Sequence, residues 1–191
     1  MEGNDKPKHT ELIDLCNGLW NRVTIREVMQ WLDEYEDYPD LLREAARYVD
    51  EENCTPLHYL LKVSPPPDIV AKFLELAPES VSMPNERGSM PLHIACKHNA
   101  SHEVIKLLVD AYPEAASTEN KVAYLPLHIA FLNHASSGII KLLLDTFPES
   151  VEFQNEGGDL PLHWAVENGA SSSVVKVLLD AYPQAITVRH R

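Results

Sequence analysis

Pro56-Leu57-His58, Pro91-Leu92-His93, Pro126-Leu127-His128 and Pro161-Leu162-His163 repeat one tripeptide at one interval, the histidines falling at 58, 93, 128 and 163, each 35 residues after the last. A fixed period of this length marks a stack of small repeated units, not one closed globule. Such a stack has no built-in catalytic cleft and normally works by presenting a long surface to another macromolecule.

Cutting the chain three residues before each proline gives blocks 53–87, 88–122, 123–157 and 158–191, which align without a gap. Each opens with a turn and then Pro56, Pro91, Pro126 or Pro161. Proline suits the first position of a helix, where its missing N–H has no intrahelical partner and its fixed φ is already helical. The first helix is short: Pro65-Pro66-Pro67, Asn99, His134-Ala135-Ser136 and Asn168-Gly169 are turn formers that end it. A second helix carries Ile69, Val70, Phe73 and Leu74 in the first block and the equivalent apolar residues in the others, spaced i, i+1, i+4, i+5 on one face. Pro78, Pro113, Pro148 and Pro183 then stop it, and an extended connection of about a dozen residues leads onward. One such pair cannot bury its own apolar face, so adjacent pairs must stack. Ala95, Ala130 and Ala165 let the helices approach, whereas the first block has Leu60 in that column and Lys72 where the others carry Leu107, Leu142 and Val177.

Thr55-Pro56-Leu57-His58, with Met90, Leu125 and Leu160 replacing the threonine later, resembles the T-P-L-H-x-A signature of ankyrin repeats. The common unit of that family has 33 residues, and this one has an extra residue in the inter-helix turn and another after the second helix. The resemblance covers 53–191 and implies an all-α solenoid of stacked helix-turn-helix units joined by extended, hairpin-like connections. It implies that His58, His93, His128 and His163 hydrogen-bond the backbone of the connecting turn, a scaffold role shared with their prolines. It also implies binding through the hairpin tips and the exposed side of the first helix, the concave side in that family. The turn glycine is kept at Gly88 and Gly158 but replaced by Asn53 and by Ala123, where positive φ is costly.

Residues 1–10 are polar and read as a flexible tail, and 11–52 as an N-terminal helical cap ending in an acidic connection. Leu12, Ile13, Leu15, Cys16 and Leu19 suggest one helix. Val23, Val28, Trp31, Leu32 and Tyr35 suggest a second, with Thr24 and Glu27 as a capping box and Pro39 closing it. A further turn is expected at 41–48. The fourth block keeps the apolar face of internal copies, so a capping contact at the C-terminal end is expected, from a continued array or from another chain.

The formal net charge is -13, and acid concentrates in the first quarter of the chain. Two readings of that acid stand: solvated faces, or a site for a basic partner. Either way the field repels phosphate backbones and argues against nucleic acid as a partner. Cys16, Cys54 and Cys96 form neither an even framework nor a C-x-x-C pair, which points to reduced thiols in the cytoplasm or nucleus. No apolar run follows the polar residues 1–10 that could serve as a signal peptide, and no stretch approaches the roughly 18 apolar residues of a membrane span, so neither a signal peptide nor membrane insertion is expected.

Nine histidines raise the question of metal. Zinc needs its ligand nitrogens about 2 Å away, but histidines on neighbouring stacked helices, about 8–10 Å apart, cannot share one ion. A turn separates His98 from His102 as well. Phosphate-loop, dinucleotide, zincin and nucleophile-elbow motifs are absent. The serines at 136–137 and 171–173 precede helices and read as caps rather than nucleophiles. No catalytic residue, cofactor or metal is therefore expected. The expected function is a non-catalytic protein-interaction scaffold or adaptor; the alternative is a regulatory or targeting segment of a larger, enzymatic protein. Candidate partner-binding residues are those where the blocks disagree. Val122, Tyr124 and Leu132 bring apolar groups to mostly polar columns, with His98 and Asn133 beside them. Arg87, Lys97 and Lys121 flank one side, and Glu156, Asp159 and Glu167 the other. A competing reading packs Val122 and Tyr124 into their own hairpin.

Overall fold

The computed structural model describes residues 24–155 and 157–188. The first expected helix, over Leu12 to Leu19, the tail at 1–10 and Glu156 lie outside them. Among the described residues there are only helices and turns. α1 (Ile25–Glu34) opens on the capping box expected from the sequence: Thr24 N–H donates to Glu27 Oε2 at 2.8 Å and Glu27 N–H to Thr24 Oγ1 at 3.4 Å. α2 (Pro39–Ala46) differs from expectation, because Pro39 starts it rather than merely closing α1. Proline is excluded from a helix interior but admitted in the first turn, where its missing N–H has no intrahelical partner to lose.

The four blocks then follow as pairs: α3 (Pro56–Leu60, continued by a 3-10 turn, Leu61–Val63) with α4 (Pro67–Leu76); α5 (Pro91–Lys97) with α6 (His102–Ala111); α7 (Pro126–Leu132) with α8 (Ser137–Thr146); α9 (Pro161–Glu167) with α10 (Ser172–Ala181). All four motif prolines are helix starters. Pro78, Pro113, Pro148 and Pro183 do more than end a helix, for each opens a five-residue 3-10 turn before the chain extends. Their missing N–H again falls where no intrahelical partner would exist.

First helices pack on one another from block to block, and second helices do the same. The alanine column makes this possible: Ala95, Ala130 and Ala165 are fully buried, and each carbonyl accepts from the N–H of Ala100, Ala135 or Ala170 at 2.8–3.0 Å, closing the inter-helix turn. Leu92, Leu108, Leu127 and Leu143 fill the space between. Each contributes about 1.5–3 kcal/mol when fully buried. Ser101 and Ser136 cap α6 and α8 through their hydroxyls, at 3.3 and 3.4 Å. Ser171 does not cap α10; its hydroxyl turns to Ser173 Oγ at 2.8 Å.

The two ends differ. At one, Trp31 of α1 is 6% exposed, with ring centroids 6.1 Å from Tyr35 and 6.3 Å from Phe73, and Arg47 pairs with Glu79 at 2.6 Å. At the other, two columns lose their cover. Leu61, Cys96 and Phe131 are 0–3% exposed but Val166 is 62%; Val81, Ala116 and Val151 are 3–6% exposed but Ile186 is 74%.

Candidate interaction surface

The connection that leads into each block ends in a hairpin built on one polar side chain. Asp50, Asn85, Asn120 and Asn155 recur at the 35-residue period. Each Oδ1 accepts two backbone N–H groups, two and four residues on: Glu52 and Cys54, Arg87 and Ser89, Val122 and Tyr124, Gly157 and Asp159, all at 2.8–3.1 Å. The residue between, at Asn53, Gly88, Ala123 and Gly158, has φ of 54–82°, the left-handed region. Ala123 takes it without glycine's freedom. This Asp/Asn column is not among the residues expected to matter from the sequence, although its period equals that of the histidines, and that 35-residue recurrence is the signal that points to it. Neighbouring tips are joined as well, Glu86 N–H to the Glu52 carbonyl at 2.8 Å and Lys121 N–H to the Arg87 carbonyl at 2.9 Å.

The motif histidines tie helix starts to the backbone of the connection that follows, at a hairpin residue for His58 and His93 and at the extended segment after the 3-10 turn for His163. Nδ1 accepts the N–H of the residue three before it, Thr55, Met90, Leu125 or Leu160, at 3.0–3.1 Å. That leaves Nε2 as the protonated, donating nitrogen. It donates to the Ser89 carbonyl from His58 at 3.2 Å, to Tyr124 from His93 at 3.0 Å and to Val188 from His163 at 3.1 Å. His128 Nε2 is buried without a partner at bonding geometry, though the Phe153 backbone acts on the ring. Burial holds His58, His93 and His128 neutral, pushing each pKa down to about 4. Burial likewise pushes the Cys96 thiol up to about 12, so it stays protonated and unreactive.

The partner-binding candidates divide by position. Arg87, Lys97, Lys121, Val122 and Glu167 are exposed, Val122 at 53%; His98, Leu132, Asn133 and Asp159 are half-buried. Asn133 is partly committed to its own turn, its Nδ2 donating to the Ile129 carbonyl and its carbonyl accepting from Asn99, both at 2.8 Å. Tyr124 turns inward and reaches the next block: its ring lies 5.6 Å from Trp164, edge to face, and 6.1 Å from His128. The structure thus brings Arg87, Lys121 and Val122 together on one pinned edge. Trp164, outside the candidates expected from the sequence, is half-buried with its indole N–H unpartnered. It sits one residue after the motif histidine, where Tyr59, Ile94 and Ile129 stand in the other blocks. No group of three potential ligands able to hold a metal ion occurs among the described residues.

A stack of short helix pairs joined by hairpins, each pair locked by a proline-leucine-histidine motif, defines a repeat solenoid. Two family models match the chain: ankyrin repeats (many copies) over residues 74–130, and ankyrin repeats (3 copies) over 113–189. The chain belongs to the ankyrin-repeat family. A search of curated proteins found no match. Ankyrin repeats are generally protein-protein interaction modules and typically non-catalytic. No helix of the described residues is long and apolar enough to cross a membrane.

Proposed function

We propose that this protein is a non-catalytic scaffold or adaptor that binds a partner protein along the edge formed by its hairpin tips and first helices, centred on the third block. One observation carries this reading: Val122 projects into solvent from a tip whose backbone is held by Asn120 and by the neighbouring tip at Arg87. A rigid backbone displaying an apolar side chain between cations and carboxylates is the composition of a binding hot spot. Leu132 extends the apolar patch, Arg87, Lys97 and Lys121 border it, and Asp159 and Glu167 supply the opposite charge. Tyr124 supports the patch from beneath by packing on Trp164. The net charge of -13 disfavours nucleic acid. The buried thiols of Cys54 and Cys96 fit a reducing compartment, the cytoplasm or nucleus.

A second reading, a regulatory or targeting segment within a larger assembly, draws on the exposure of Val166 and Ile186, whose columns are buried in every internal block. The deciding experiment is affinity capture with wild type and with Val122→Asp/Leu132→Asp, both folded by circular dichroism. Partners lost from the variant but kept by Val166→Lys/Ile186→Lys support the tip edge. The opposite pattern supports the end face, and partners unaffected by either pair refute both.

A further inference from the structure

We propose that the groove between α1, α2 and α4 docks a basic amphipathic helix from a partner protein. This surface lies on the cap and the second helix of block one, away from the hairpin-tip edge, so the two proposals stand or fall separately. The groove encloses about 450 Å³. Its floor is apolar, formed by Leu32, Leu42, Ile69 and Leu76, and Met29 projects into it while 45% exposed. An unbranched thioether adapts its shape to whatever packs against it.

The rim gives the occupant its charge. Asp33, Glu36, Asp68 and Glu75 line the groove and all are exposed. Two cations oppose them: Arg43, already 3.1 Å from Asp40, and Lys72, which replaces the apolar residue of the later blocks. The surrounding chain strengthens the bias, since residues 24–50 hold eight carboxylates against three arginines. An apolar trough with carboxylate walls is complementary to a helix that has an apolar stripe at i, i+3, i+4, i+7 and lysine or arginine on both flanks. An acidic or phosphate-bearing ligand meets repulsion at the same walls.

The test uses the full chain and a fluorescent helical peptide of about 18 residues, five turns, with a leucine stripe flanked by lysines, beside a twin in which glutamate replaces every lysine. Fluorescence anisotropy is expected to show the lysine peptide binding at least about tenfold tighter than its twin. Raised salt, Met29→Asp and Asp33→Lys/Glu36→Lys are each expected to weaken it by about tenfold. These three side chains are exposed, so the variants keep their fold. Amide exchange is expected to slow over α1, α2 and α4. Equal binding of the twin peptides, or protection at the hairpin tips instead, overturns the proposal. So does resistance of Met29 to peroxide in the free protein at every concentration, which shows the groove covered by the chain's own residues. Resistance that grows with protein concentration overturns it in favour of a second copy.

Discussion

His93 and Tyr124 stand 31 positions apart, yet the imidazole Nε2 of the first donates to the backbone carbonyl of the second at 3.0 Å. The same imidazole holds the start of its own helix through Met90 N–H, so one buried ring fastens block two to the hairpin that opens block three. The Tyr124 side chain continues the chain of contacts to Trp164 in block four. Stability and the placement of the hairpin tips therefore share the same atoms.

Stability should fall as pH drops from 6.5 toward 4. Burial lowers the folded pKa of His58, His93 and His128 from 6.5 to about 4, so unfolding takes up protons in that window. The stabilisation is complete above pH 6.5 and lost as pH falls through the window, on the order of 3 kcal/mol per histidine. Urea unfolding at pH 7.5, 6 and 5 measures it, and midpoints that do not move between pH 7.5 and 5 would contradict it.

Asn120→Ala removes the acceptor for two backbone N–H groups, those of Val122 and Tyr124. A loss of about 1–3 kcal/mol is expected. Asn120→Asp should recover most of it, because Asp50 does the same work in block one. Denaturant melts of the two variants distinguish this turn-building role from simple loss of a polar surface group.

Ala123 sits at φ 54°, in the column where Gly88 and Gly158 stand. Ala123→Gly should raise stability by about 1 kcal/mol. Gly88→Ala should lower it by more than that, since the added Cβ would lie 3.0 Å from the Lys121 backbone nitrogen in addition to the strain of positive φ. Thermal scans of both variants give the two opposite signs.

Trp164 carries a large ring into the third interface but leaves its indole N–H buried without a partner. Trp164→Phe should thus be neutral or slightly stabilising, whereas Trp164→Ala should cost about 3 kcal/mol. If phenylalanine proves as damaging as alanine, the N–H has an acceptor and the packing account is wrong.

Much of this architecture was legible because its causes are local. Proline at 56, 91, 126 and 161 suits the first turn of a helix whatever packs beside it, and the i, i+1, i+4, i+5 apolar spacing reports a helical face without knowledge of its neighbour. The Asp50, Asn85, Asn120 and Asn155 column was equally periodic but passed unread, because a polar residue in a connection looks like solvated loop until its two N–H donors are placed around it. The 3-10 turns after Pro78, Pro113, Pro148 and Pro183 escaped for a related reason: a proline that forbids one helix also opens the next turn.

By itself the sequence determined the repeating blocks, their helix starts and the small-residue column, since each follows from backbone stereochemistry or from the period, while the turn-binding duty of the motif histidines came from the resemblance to ankyrin repeats. Only the tertiary structure decided which side chains are covered. Phe131 and Val166 occupy the same column on helices of the same length, yet one is 3% and the other 62% exposed, because burial belongs to the neighbour that packs there and not to the residue. The inward turn of Tyr124, the unpartnered indole of Trp164 and the acid-walled groove beside Met29 are of that kind: each exists only once separate blocks are brought side by side.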